Sequence, residues 1–243
     1  MDINIKRFIE KNAKMWSIFN NEKNEEKLLV EPPNENYPFI LHAIAMQTII
    51  LKNGLGLRPL WIKNSNVPIE LLRSYVPQAD YIELVSLNFL DKFYSIVCIL
   101  FQYFKMFLTN KTLNFKFEGV KYGDILHDIY LSDNKCATLQ KPNLKLLKIM
   151  KRIVRLHMQY VKTIKKYNIK AVLASHRISY YACMIRAALI NNCKAYTNSG
   201  MHRNTLYVSS SSKNLIEYEY TPTKKQIEQI LELPNELFAE EYN

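Results

Sequence analysis

Along most of this chain, short apolar runs stopped by proline, glycine or polar residues alternate with segments of helical length. Leu28-Leu29-Val30 halts at Glu31-Pro32-Pro33, and residues 37–52 then have the length and apolarity of a helix. Asn53-Gly54-Leu55-Gly56 supplies a helix stop and a turn before the next run, Leu57 to Ile62. The same rhythm predicts strands at 81–85, 171–174 and 195–197, and helices at 69–75, 87–108, 143–167 and 179–192. Parallel strands need a crossover of a dozen or more residues, usually a helix, whereas antiparallel ones can be joined by tight turns. The alternation therefore predicts an α/β fold: a Rossmann-like, doubly wound, mostly parallel sheet with helices on both faces.

The two ends read differently. Ile5, Phe8, Ile9, Trp16 and Phe19 share a helical face, so residues 1–26 are expected to hold an N-terminal amphipathic helix. Residues 27–204 form the α/β domain. In 205–243, runs at 205–208 and 215–220 flank a Ser-rich turn and suggest a hairpin, and Thr223-x-x-Gln226 resembles a capping box opening a short helix. Two apolar runs, 36–51 and 93–104, fall short of the roughly 20 residues that span a bilayer. They are expected to be buried helices, with a shallow interfacial helix at 87–108 as the alternative. Four scattered cysteines without C-x-x-C spacing read as reduced thiols of a cytoplasmic protein, and no metal site is expected. Five glycines in 243 residues argue against a glycine-rich phosphate loop.

The charge is unevenly placed. The net charge is +11, yet residues 141–170 hold ten Lys or Arg and no Asp or Glu, which leaves 23 basic against 22 acidic residues elsewhere. Lys141, Lys145, Lys148, Arg152, Arg155, Lys162 and Lys166 share one face of the predicted helix. Leu146, Met150, Ile153, His157, Tyr160, Ile164 and Tyr167 share the other. The apolar face must pack on the sheet, so the basic one points outward. A solvated face and an anion-binding stripe for an acidic membrane surface both fit this pattern, the stripe resting on Lys145, Lys148, Arg152, Arg155 and Lys162. Lysine outweighs arginine and no aromatics interleave the outward face, which disfavours nucleic acid as the partner.

In an open parallel sheet, ligands bind beyond the carboxyl ends of the strands. That rule singles out Glu31, then Ser175, His176 and Arg177, then Asn198, Ser199, Gly200 and His202. A histidine there can serve as a general base, bind phosphate when protonated, or make a structural hydrogen bond. A second constellation runs from Glu118 to Tyr130. Gly119 and Gly123 permit turns or close approach. Asp124 and Asp128, four apart, would share a helical face, and Asp124 could equally be an N-cap. No nucleophile-triad, P-loop or dinucleotide fingerprint is present.

Two stretches carry a resemblance. FEGVKYGDILHDIYLSDNKCATLQKPN, followed some 30 residues on by VLASHRISYYACMIRAALINNCKAY, is similar to the N-terminal half of bacterial surface and capsular polysaccharide biosynthesis glycosyltransferase-like proteins, over roughly residues 27–200. The pattern is Gly-x-x-Tyr-Gly-Asp-x-x-x-Asp-x-Tyr-Leu from Gly119, then Ser-His with Tyr180 and Arg186 on the next helix. The resemblance implies one half of a GT-B architecture, the acceptor-side domain, completed by a complementary C-terminal domain. It implies a nucleotide-sugar as co-substrate, a carrier-linked saccharide acceptor, no other cofactor, and a location in the cytoplasm or on the inner face of the cell membrane. It assigns no catalytic residue, so roles come from chemistry. Asp124 or His176 could deprotonate an acceptor hydroxyl. Arg186 with Tyr180 could hold a phosphate or sugar, or Arg186 could form a structural salt bridge. Glu31, Gly123, Asp128, Gly200 and His202 complete the candidate substrate set. The competing reading is a non-catalytic membrane- or partner-binding module of the same machinery.

Overall fold

The computed structural model describes residues 3–16, 26–32, 38–63, 67–77, 80–109, 111–135, 142–176, 179–198 and 206–209. Elements run in the order α1 (Ile3–Trp16), β1 (Glu26–Val30), α2 (Pro38–Leu55), β2 (Leu57–Ile62), α3 (Ile69–Arg73), β3 (Asp80–Ile82), α4 (Phe89–Thr109), β4 (Lys116–Phe117), β5 (Val120–Lys121), α5 (Gly123–Asn134), α6 (Leu144–Tyr167), β6 (Ile169–Ala174), α7 (Tyr181–Ile190), β7 (Lys194–Asn198) and β8 (Leu206–Ser209). Six strands form one sheet in the order β3-β2-β1-β6-β7-β8. The first five pair in parallel, and β8 adds antiparallel to β7. The fold is α/β and Rossmann-like: a mostly parallel sheet flanked by helices.

Residues alternate sides along each strand, and the core divides accordingly. Leu29, Leu60, Ile62, Val172 and Ala174 pack on one side with α4, α5, α6 and α7. Leu28, Val30, Trp61, Ala171 and Leu173 pack on the other with α2 and α3. Strands buried on both sides are continuously apolar, which is why β1 and β6 stand out in the sequence. On α1, Asn12 Nδ2 donates to Ser74 Oγ (2.9 Å), and Phe8 lies against Tyr75 beside α3.

The expected strand at 81–85 is shorter and earlier, and residues 206–209 join the main sheet through β7. The expected partner run at 215–220 and the capping box lie outside the described residues. Cys98, Cys183 and Cys193 are free thiols.

Residues 112–134 resolve into a 3-10 turn, a hairpin and a helix. The hairpin loop is two residues, Glu118 and Gly119, both at positive φ (47° and 80°), as a primed turn demands. Gly123 opens α5 pressed against the backbone of Leu113, so its missing side chain serves close packing. α6 is capped by Asn143, whose side chain accepts from the amides of Lys145 and Leu146. It ends at Asn168 in the left-handed conformation. Its apolar residues face inward and its lysines outward, as the spacing predicts.

One expectation is corrected. α2 is largely buried, but α4, which includes the 93–104 run, presents most of its apolar side chains to solvent. Only Ser95, Ile99 and Met106 are fully packed inward. This helix is apolar around most of its circumference, so periodicity alone does not say which side the core takes. No helix among the described residues is long and apolar enough to cross a membrane.

Candidate functional site

The order in which strands are added reverses between β1 and β6. From β1 the chain steps outward to β2 and β3. After the long excursion through α4, α5 and α6 it returns beside β1 as β6 and steps the other way to β7. The carboxyl ends of β1 and β6 thus mark the topological switch point, beyond which open α/β sheets bind ligands in a crevice. Glu31 follows β1 directly, and Ser175 and His176 follow β6.

These residues meet across the boundary. The amide of Glu31 donates to the carbonyl of Leu173 at 3.0 Å, prolonging the strand pairing by one step. The Glu31 Oε2 atom then accepts the amide of Ser175 at 2.8 Å. Glu31 is 4% exposed. Burial raises its pKa from 4.5 to about 7, opposed by its hydrogen bonds with the side chain and backbone of Ser175. His176 Nδ1 lies 2.6 Å from Ser175 Oγ, and its ring lies tilted against Tyr181. Burial lowers the His176 pKa and favours the neutral imidazole. Glu31, Ser175 and His176 therefore form a short hydrogen-bonded polar chain across the β1–β6 boundary.

Asp128 reaches the same loop from α5: its Oδ2 accepts the amide of Ser179 at 3.2 Å. Asp124, one turn earlier, is engaged elsewhere. Arg186 grips it with a two-pronged fork, Nη1 to Oδ1 at 2.9 Å and Nη2 to Oδ2 at 2.5 Å, and also donates to the carbonyl of Lys121. Burial alone would raise the Asp124 carboxyl, but the hydrogen bonds and charge of Arg186 outweigh it and set its pKa below the ordinary value. A carboxylate held so firmly ionised is a weak base. The salt-bridge reading of Arg186 is thus the one the geometry realises. Asp124→Ala strands a nearly buried guanidinium and is expected to cost about 2 kcal/mol in denaturant unfolding, less than a fully buried pair because Asp124 is partly solvated. An unchanged midpoint would refute that role.

Tyr180 and Arg186 have different side-chain partners. The Tyr180 ring lies under the Arg152 guanidinium, 3.9 Å from centroid to Cζ. Gly123 is buried against Leu113 instead of lining the crevice. Gly200 and His202 lie outside the described residues. Of the basic stripe, Lys145 donates to Asn134, Lys162 pairs with Asp91 at the start of α4, and Lys148 and Arg155 are exposed.

A second polar cluster escapes sequence reasoning. His157, fully buried on the inner face of α6, places Nδ1 2.6 Å from the Tyr122 hydroxyl and Nε2 3.2 Å from Glu118 Oε2. Burial lowers its pKa, against the opposing pull of Glu118. The available signal was a lone histidine on an otherwise apolar helical face. The positive-φ turn that aims Glu118 leaves only Gly119 as its mark in the sequence.

The chain matches no family model, no curated protein and no solved structure.

Proposed function

We propose that the chain is the acceptor-side domain of a glycosyltransferase-like protein of surface polysaccharide assembly, with its reacting centre at the switch-point crevice. The observation that carries this reading is the buried Glu31 carboxyl, joined through Ser175 to a neutral His176 at the carboxyl rim of the sheet. With Nδ1 engaged by Ser175, His176 Nε2 takes the proton of an acceptor hydroxyl. The freed oxygen then bonds to the anomeric carbon of a nucleotide-sugar, and the bond from that carbon to the diphosphate breaks, releasing the nucleoside diphosphate. Glu31 orients the pair and buffers the proton. A complementary C-terminal domain supplies the nucleotide-sugar, and the acceptor is carrier-linked saccharide. In this reading Asp128, whose carboxylate accepts the Ser179 amide, contacts the acceptor sugar.

The test is release of nucleoside diphosphate by the chain together with such a domain, a nucleotide-sugar panel and a lipid-linked acceptor. His176→Ala is expected to lower kcat by about 100-fold or more with a smaller change in KM. Full turnover by both His176→Ala and Glu31→Gln would reject the assignment. Absence of transfer with every donor would instead favour the non-catalytic, membrane- or partner-binding reading.

A further inference from the structure

We infer that α4 is a membrane-surface anchor: its outward apolar face enters the boundary between headgroups and acyl chains of an anionic bilayer, while basic α6 beside it engages the lipid phosphates. This stands on α4 and α6 alone and holds whether or not the crevice transfers sugar.

Phe89, Phe93, Val97, Leu100, Phe104 and Leu108 follow one another at spacings of four, four, three, four and four. They therefore form a single column along the helix. Their exposures run from 50% at Val97 to 79% at Phe89. Six large apolar side chains in one outward column exceed the scattered apolar exposure normal for a monomer surface. Lys92 and Lys105 sit at the margins of the exposed arc by helical spacing, an arrangement suited to headgroup contact. Because Ser95, Ile99 and Met106 pack against the protein, the helix has only one free side. It must lie along a membrane surface rather than cross it.

Charge decides between a bilayer and a second copy of the chain. α6 packs beside α4 in the layer on one face of the sheet, and Lys162 ties it to Asp91 in the first turn of α4. Its outward side carries exposed Lys148, Lys151, Arg155 and Lys165, with no acidic residue between 141 and 170. Two copies paired through α4 would bring these like-charged helices to one interface rim without an acid from either α6 to meet them. An anionic bilayer satisfies both features, acyl chains receiving the phenylalanines and phosphates receiving the lysines. Between Lys92 and Lys105 the exposed residues of the arc are apolar apart from Tyr94, so few polar groups are there to fix a protein partner's register.

Flotation of the full chain with phosphatidylcholine vesicles, with and without phosphatidylglycerol, tests this. Co-flotation is expected with the phosphatidylglycerol vesicles and is weakened by salt. Phe93→Asp and Phe104→Asp are each expected to lower the partition coefficient on the order of tenfold. Both side chains are exposed, so circular dichroism and thermal melting should match the parent. Lys148→Glu with Arg155→Glu should weaken binding to the charged vesicles alone. The inference is overturned if the unaltered chain fails to float, or if the two Phe variants float as it does. A dimer that Phe104→Asp separates, with no vesicle binding, also overturns it and assigns the face to a second copy. Equal binding to both vesicle types overturns the role of α6.

Discussion

Glu31→Gln is expected to stabilise the folded chain by about 3 kcal/mol above pH 7 while impairing the crevice. The carboxyl is buried, and burial raises its pKa from 4.5 to about 7. A folded state that holds its proton more tightly than the unfolded chain loses stability as pH rises from about 4.5 to about 7. That gap corresponds to about 3 kcal/mol. Gln is neutral throughout and keeps an oxygen to accept the Ser175 amide, so the penalty vanishes. The buried histidines act in the opposite sense. Burial lowers the pKa values of His157 and His176, so their contribution to stability falls as pH drops below the ordinary 6.5. Both variants carry them, so they largely cancel in the difference between Glu31→Gln and parent. Chemical denaturation from pH 4 to pH 8 should show the two curves converging at the acid end, separating as pH rises from about 4.5, and staying a constant distance apart above about 7. Parallel curves would mean that Glu31 titrates normally. A carboxyl retained at a stability cost, at the rim where ligands bind, is the pattern of a functional group.

Gly123→Ala is expected to destabilise the chain by about 3 kcal/mol, the upper end of overpacking costs. The added Cβ would overlap the carbonyl and Cα of Leu113, which are backbone atoms and cannot rotate away. Relief requires moving the 3-10 turn at Thr112–Asn114 off the start of α5. Phe115 and Tyr122, both fully buried, pack beside that contact and would be disturbed. The thermal midpoint should fall sharply in Gly123→Ala and hardly at all in Gly54→Ala, where no atom lies within 4 Å of the added Cβ. Equal midpoints would show that the turn is not held against α5.

Much of the architecture was legible because β1 and β6 are apolar on both sides and sharply bounded, as Leu28-Leu29-Val30 before Glu31-Pro32 illustrates. The strand-end rule then found Glu31 and His176 separately. Their meeting depends on β1 lying beside β6, and that neighbour relation spans about 140 residues and leaves no periodic trace. A structural salt bridge for Arg186 was one of two open alternatives, but its partner Asp124 was not legible, since α5 and α7 are brought together only by packing. α4 misled for a different reason. Its apolar residues surround most of the helix, so composition predicts burial while the core accepts only the Ser95–Ile99–Met106 side.

The most direct test of the crevice as the working site is amide chemical-shift mapping of the isotopically labelled full chain. It would be titrated with nucleoside diphosphate sugars and with carrier-linked saccharides. The account predicts saturable shifts centred on Glu31, Ser175 and His176, weakened by His176→Ala without loss of fold. Saturable shifts centred on another surface, or none with any member of the panel, would contradict it.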